Sequence, residues 1–394
     1  MRTAIRLAIS LAMAAAFATA DAPFFTPEGS YAVEVSLDNA PYPRLPIGRN
    51  AITSLEVVGD YAIGGTAASP GLSPYLFAVS LSKRRLEIVF PLEKAIPGQR
   101  AIQSGFGRGP NGTLYAGTLP DRKGDSGHIL GARVEGGELA VTDLGVPVAG
   151  EGVFALVADP KIGAIYGISH PSGKFFVFHP ETRRADVYEE TAPKRRALRE
   201  LNDHALTVDD ALSRRLVLDR QGRVYGSYPV NKLFRFDPGQ KKIETLADEL
   251  PAVWGHAPLG RVDSWALAPD GTLYGGNAAD GQLFRLDPAT GKVANLGKPA
   301  VAPRLKGLAF AKDGSLYGVA GAAPGGYAHL FRYDPEHGFT DLGNPRFIMK
   351  EPGIEQGIAW RGFQIATVAA TEDGSSIAMG EEEALSQLMV FPVR

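Results

Sequence analysis

The chain contains no cysteine among its 394 residues. That absence excludes disulfide bonds, thiol nucleophiles, Cys-ligated zinc and a lipid-modified N-terminal cysteine. Histidine is sparse as well. The seven, His128, His170, His179, His204, His256, His329 and His337, never stand two or four residues apart, so no helical metal pair of the HExxH kind can form. No GxSxG elbow, P-loop or GxGxxG leading into a helix is present either. A net charge of -2 gives no general attraction to nucleic acid or to an anionic membrane. Neither partner is expected. After the first twenty residues no apolar run is long enough to cross a bilayer, and a monomer is expected.

Those first twenty residues read as a targeting segment. Arg2 and Arg6 open it, an apolar run starts at Leu7, and Ala18-Thr19-Ala20 is a small-x-small cleavage site. Residues 1–20 are therefore expected to be a cleaved signal peptide and residues 21–394 a single exported domain, periplasmic or extracellular.

Glycine (47) and proline (29) are abundant, as tight turns require. The dominant pattern is a repeated phrase: a Gly turn, Leu-Tyr-Gly, a loop, then Leu-Phe-Arg-aromatic-Asp-Pro. It occurs at residues 221–246, 270–297 and 313–343. Short strands with turn signals at a period of about 50 residues describe a propeller blade. Aligned on the second strand, Ile63, Tyr115, Tyr166, Tyr225, Tyr274, Tyr317 and Ile377 are equivalent. The reading is all-β: a seven-bladed propeller of four-stranded antiparallel blades. The last blade lacks an outer strand, which Tyr31–Leu37 is expected to supply, closing the ring and removing an exposed edge. The aromatic residues of the third strand, such as Phe234 with Phe236 and Phe331 with Tyr333, share a face and are expected between blades.

This pattern resembles the exported bacterial seven-bladed propellers, a group that includes ulvan and oligogalacturonate lyases and lyases of the streptogramin type. The resemblance covers the architecture of nearly the whole chain. No catalytic motif of one family matches residue by residue, so it implies a class of activities and assigns no catalytic residue.

Candidate chemistry lies where loops depart from the repeat. The longest departure, 187–215, holds the basic cluster Lys194, Arg195, Arg196 and Arg199 and reads as a short helix over the ring. Two others are 251–264 and 344–361. A loop face mixing His, Tyr, Arg, Lys and Trp suits a sugar acid, since aromatics stack on the ring and Arg forks a carboxylate. The expected partner is an acidic polysaccharide or oligosaccharide. β-Elimination on a uronic acid would need a cation at the carboxylate, a base and an acid. Arg261 is the candidate cation, His170 or His256 the base, and Tyr228 base or acid. His128, Trp254, Asp263, Lys350, Glu355 and Gln356 are candidate binding residues. No cofactor or catalytic metal is expected, and calcium at Glu351 with Glu355, or Asp121 with Asp125, has no diagnostic pattern. The alternative is a non-catalytic propeller that binds a glycan or protein through the same face.

Overall fold

A computed structural model describes residues 24–25, 28–36, 43–189, 212–228, 231–252, 260–278, 280–300, 302, 304–321, 327–348, 359–382 and 386–394. The expected signal peptide, most of the 187–215 departure and the candidates His256, Trp254, Lys350, Glu355 and Gln356 lie outside them.

The described chain is an all-β propeller. Its first strands, Ala51–Val58, Gln99–Arg108, Gly152–Ala158, Val217–Leu218, Val262–Leu267, Leu305–Phe310 and Ile365–Ala370, pack side by side, and the last returns against the first. They enclose the central channel. Later strands of each unit follow outward by antiparallel pairing.

The expectation of a seven-bladed propeller of four-stranded blades is corrected by the hydrogen bonding, which shows five blades and not seven. Five sheets stand as discrete blades, and a sixth sheet of eight strands spans residues 51–145. In that sheet Tyr61–Ala67 reaches across to Gln99–Arg108 through the pair Ala67 and Ala101, so two successive meanders share one ladder. One discrete blade, 305–348, is also larger than four strands: Phe24–Phe25 pairs parallel to its outer strand, and Ala359–Arg361 pairs with the far end of that strand. The cause is length. The outer strand, Gly338–Ile348, has 11 residues and projects beyond its neighbour.

The strand expected at 31–37 is the shorter Tyr31–Glu34, and it pairs antiparallel with Gln387–Pro392. It completes the 365–392 sheet from the opposite end of the sequence.

The repeated phrase has a packing reason. In five of the seven aligned units a glycine follows the second-strand Tyr or Ile and faces a third-strand Phe in register: Gly64 with Phe77, Gly167 with Phe176, Gly226 with Phe234, Gly275 with Phe284 and Gly318 with Phe331. In each pair the ring lies where a Cβ on the glycine would be. The ring covers its own neighbour's backbone and then reaches the next sheet, as Phe234 and Phe236 do beside Phe175 and Tyr166. Gly275→Ala should therefore destabilise the fold by about 1–3 kcal/mol, the usual cost of overpacking. Urea unfolding checks this, and adding Phe284→Leu should recover part of the loss.

The tyrosines of the phrase are structural. Tyr225 donates to Asp219 at 3.1 Å and Tyr317 to Asp313 at 3.2 Å, each to a carboxylate at the turn just before it. Burial, reinforced by those carboxylates, pushes both phenols up to about 12. They stay protonated at any physiological pH.

Candidate functional site

The first strands share a local irregularity that decides what faces the channel. Near its start each of five carries one extra residue, a β-bulge: Thr53, Phe154, Asp263, Lys306 and Ala366. A bulge breaks strict alternation and re-aims a side chain. The surrounding sequences agree: Ile-Thr-Ser-Leu, Val-Phe-Ala-Leu, Val-Asp-Ser-Trp, Leu-Lys-Gly-Leu and Ile-Ala-Thr-Val, an apolar, variable, small, apolar pattern. The small residue is needed because the next unit approaches closely there. Ser264 Oγ donates to Leu305 O at 2.6 Å.

Four of these bulge residues, Thr53, Asp263, Lys306 and Ala366, converge on one cavity of about 30 Å³, joined by Gln103, Arg214, Arg215, Arg304 and Glu382. That volume holds about two water-sized groups. A carboxylate fits, whereas a sugar ring does not.

Asp263 organises the cluster. Its side chain is 1% exposed. Arg261 Nε donates to Oδ1 at 3.0 Å, Arg304 donates to Oδ2 through Nε at 2.9 Å and Nη2 at 2.7 Å, and Arg214 Nε stands 3.8 Å from Oδ1. Burial alone would raise this carboxyl, but Arg261, Arg304 and Arg214 together hold it well below the usual aspartate range. Lys306 Nζ donates to Glu382 at 2.9 Å. Burial lowers Lys306 against the opposing pull of Glu382. It would raise Glu382, where Lys306 prevails and the carboxyl is lowered.

Five cations, Arg214, Arg215, Arg261, Arg304 and Lys306, thus surround two carboxylates. Arg215 is the one the carboxylates leave over. Its guanidinium lies across the backbone of Gly105, where a Cβ would sit, and no carboxylate among the described residues is within ion-pair distance. Burial, then the neighbouring Arg214, pulls it down to about 10 against the attraction of Glu56 and Asp263. Arg214 Nε is buried without a hydrogen-bond acceptor among the described residues. Positive charge enclosed this way is costly unless something anionic joins it.

Arg261 and Asp263, both named from sequence, meet here, although Arg261 is 7% exposed and engaged by Asp263. The other described candidates sit elsewhere. His170 ends the strand Ile165–His170 with its ring stacked on Phe154, centroids 5.6 Å apart. Tyr228 packs against the aliphatic and aromatic cluster between the 152–188 and 217–249 sheets. His128 Nδ1 is 3.0 Å from Asp143. None of the three lines the cavity. Sequence reading missed Arg214, Arg215, Arg304, Lys306 and Glu382. The signal that could have found Lys306 is its place in the apolar, variable, small, apolar pattern. Among the described residues no three His, Asp or Glu side chains are grouped to hold a metal ion, and no helix is long and apolar enough to cross a membrane.

Comparison with solved structures places the same architecture in several proteins. A streptogramin B lyase superposes with a TM-score of 0.60 at 11% identity, covering 92% of this chain and 98% of that one. The β-propeller domain of Cps50 (Swd1) from Myceliophteria thermophila gives 0.56 at 12% identity, covering 88% and 98%. The extracellular domain of a hybrid two-component system of B. thetaiotaomicron gives 0.51 at 14% identity, covering 91% of this chain and 39% of that one. At such identities the likeness is one of fold. No protein-family model and no curated protein matches the chain.

Proposed function

We propose that this protein is an exported propeller that binds an acidic ligand, a uronic acid or an oligosaccharide bearing one, with the ligand's carboxylate seated in the channel between Arg215, Arg304 and Lys306. The observation that carries this reading is the surplus cation: Arg215 is enclosed, unpaired among the described residues and beside a cavity of carboxylate size. Guanidinium groups recognise carboxylates by paired, charge-assisted hydrogen bonds, and the sugar ring would remain outside the cavity. Export belongs to the same proposal. The basic, apolar and small-residue N-terminus supports it, as does a structural neighbour described as an extracellular domain.

Binding is favoured over β-elimination by placement. Among the described residues no His or Tyr lines the cavity, so no general base of the expected kind stands beside the carboxylate site. Titration calorimetry with galacturonate and with galactose, which differ in the carboxylate, tests the reading. Galacturonate should bind at least tenfold more tightly. His170→Ala and Tyr228→Phe should leave its affinity within about twofold, and oligogalacturonate incubated with the protein should develop no ultraviolet absorbance of an unsaturated product. Equal affinity for the two sugars would end the carboxylate reading. A rise in that absorbance, lost in His170→Ala, would establish the lyase instead.

A further inference from the structure

Below the cationic cavity the channel widens into a chamber of about 520 Å³, within the size range of small-molecule sites. Arg215 and Lys306 line both spaces, so the same two cations form the floor of the upper cavity and the roof of the lower chamber. At the far end Arg108 donates to Glu56 at 2.8 Å and to Glu372 at 3.1 Å, which closes that charge set on itself.

Between roof and exit the wall is unusual for a water-filled bore. Phe106 and Phe310 reach the chamber as half-buried rings. Trp265 lies beside them, 9% exposed, its indole set edge-on to Phe284 with centroids 5.4 Å apart. Its Nε1 is buried and, among the described residues, has no acceptor. Buried indole N–H groups ordinarily find one. The chamber therefore offers two cations above and aromatic rings half open to the same space.

We propose that the lower chamber is a second binding site, specific for a small aromatic carboxylate whose carboxylate meets Arg215 and Lys306 from below and whose ring lies among Trp265, Phe106 and Phe310. An aromatic body covers the open rings, and the anionic head uses the charge that the protein's own carboxylates leave over. The site goes beyond the uronate reading. It shares two cations with that reading but takes a different ligand from the other side.

Titration calorimetry with 2-naphthoate, its neutral analogue 2-naphthalenemethanol and galacturonate tests it. One naphthoate should bind per chain, at least tenfold more tightly than the alcohol. Ala309→Phe and Ala370→Phe, which fill the chamber wall from two different strands, should each weaken naphthoate at least tenfold while leaving galacturonate within about threefold, with folding of each variant checked by circular dichroism. Lys306→Met should weaken both ligands. Equal binding of naphthoate and the alcohol, absence of saturable naphthoate binding, or naphthoate binding unchanged in whichever filling variant folds would each overturn the proposal. Loss of galacturonate binding alone, with naphthoate intact, would instead overturn the uronate reading and leave this site standing.

Discussion

Replacing Asp263 with Asn should lower the unfolding free energy by about 3–5 kcal/mol, the cost of leaving buried charge without its partner. The magnitude follows from the number of groups that depend on one carboxylate. Arg261, Arg304 and Arg214 all face Asp263, whose side chain is 1% exposed. An amide keeps the shape and removes the charge, so three guanidinium groups are left to repel one another in a poorly hydrated space. Adding Arg261→Met to Asp263→Asn should recover about 1 kcal/mol or more, because neighbouring sites couple rather than add. Urea unfolding of the two variants measures both. A loss below about 1 kcal/mol, or no recovery in the double variant, would mean that the cluster is solvated well enough to need no central anion.

The pH dependence follows with a definite sign. The carboxyls of Asp263 and Glu382 are both lowered in the folded protein. Such groups add stability that is complete above their ordinary range of roughly 4 and fades as pH falls through it toward the lowered folded value. Acid unfolding should therefore be steeper in the native protein than in Asp263→Asn, whose stability curve loses this contribution. Unfolding midpoints across the acid range check it.

The second large effect is expected at Arg215, where binding and stability should move in opposite directions. Arg215→Met should weaken galacturonate about thirtyfold or more, in line with the roughly 2–5 kcal/mol lost when one partner of a buried charge pair is truncated. The same substitution should leave the free protein as stable or about 1 kcal/mol more stable, since it removes an enclosed cation that no described carboxylate pairs with. A residue retained only for the fold would show the reverse. Affinity should also fall as pH rises into the alkaline range, where Lys306, lowered by burial, loses its proton in the free protein. Lys306→Met should flatten that limb.

Which parts of this were readable from sequence depends on how local their physics is. The Leu-Tyr-Gly and Leu-Phe-Arg phrases announce strands because each glycine is matched to a Phe in the adjacent strand of the same unit, as Gly318 is to Phe331. That contact spans a hairpin and repeats, so it leaves a pattern. The pairing of Ala67 with Ala101 that fuses two meanders depends on how adjacent units lean together, and one alanine pair leaves no mark in the sequence. Seven blades are therefore what the repeat leads one to expect, and the three-dimensional pairing overrides that count. The charge cluster is a mixed case. Arg261 and Asp263 fall in a loop that breaks the repeat and so attract notice, whereas Arg304 and Lys306 sit beside an ordinary-looking strand, Leu305–Phe310. Their importance comes from the bulge at Lys306, which turns a residue of alternating strand pattern into the channel. Arg214 and Arg215 follow a long basic departure and are easily read as its tail. His170 and Tyr228 drew attention by residue type alone, and type does not report that His170 stacks on Phe154 instead of facing the cations.

The central claim is that the channel's surplus charge seats a carboxylate. A crystal grown with galacturonate addresses it most directly. The account predicts one carboxylate in the upper cavity, its oxygens within hydrogen-bond reach of Arg215 and of Arg304 or Lys306, and no such density in Arg215→Met crystals treated identically. Galacturonate bound elsewhere with the cavity holding only water, or the same pose retained without Arg215, would contradict it.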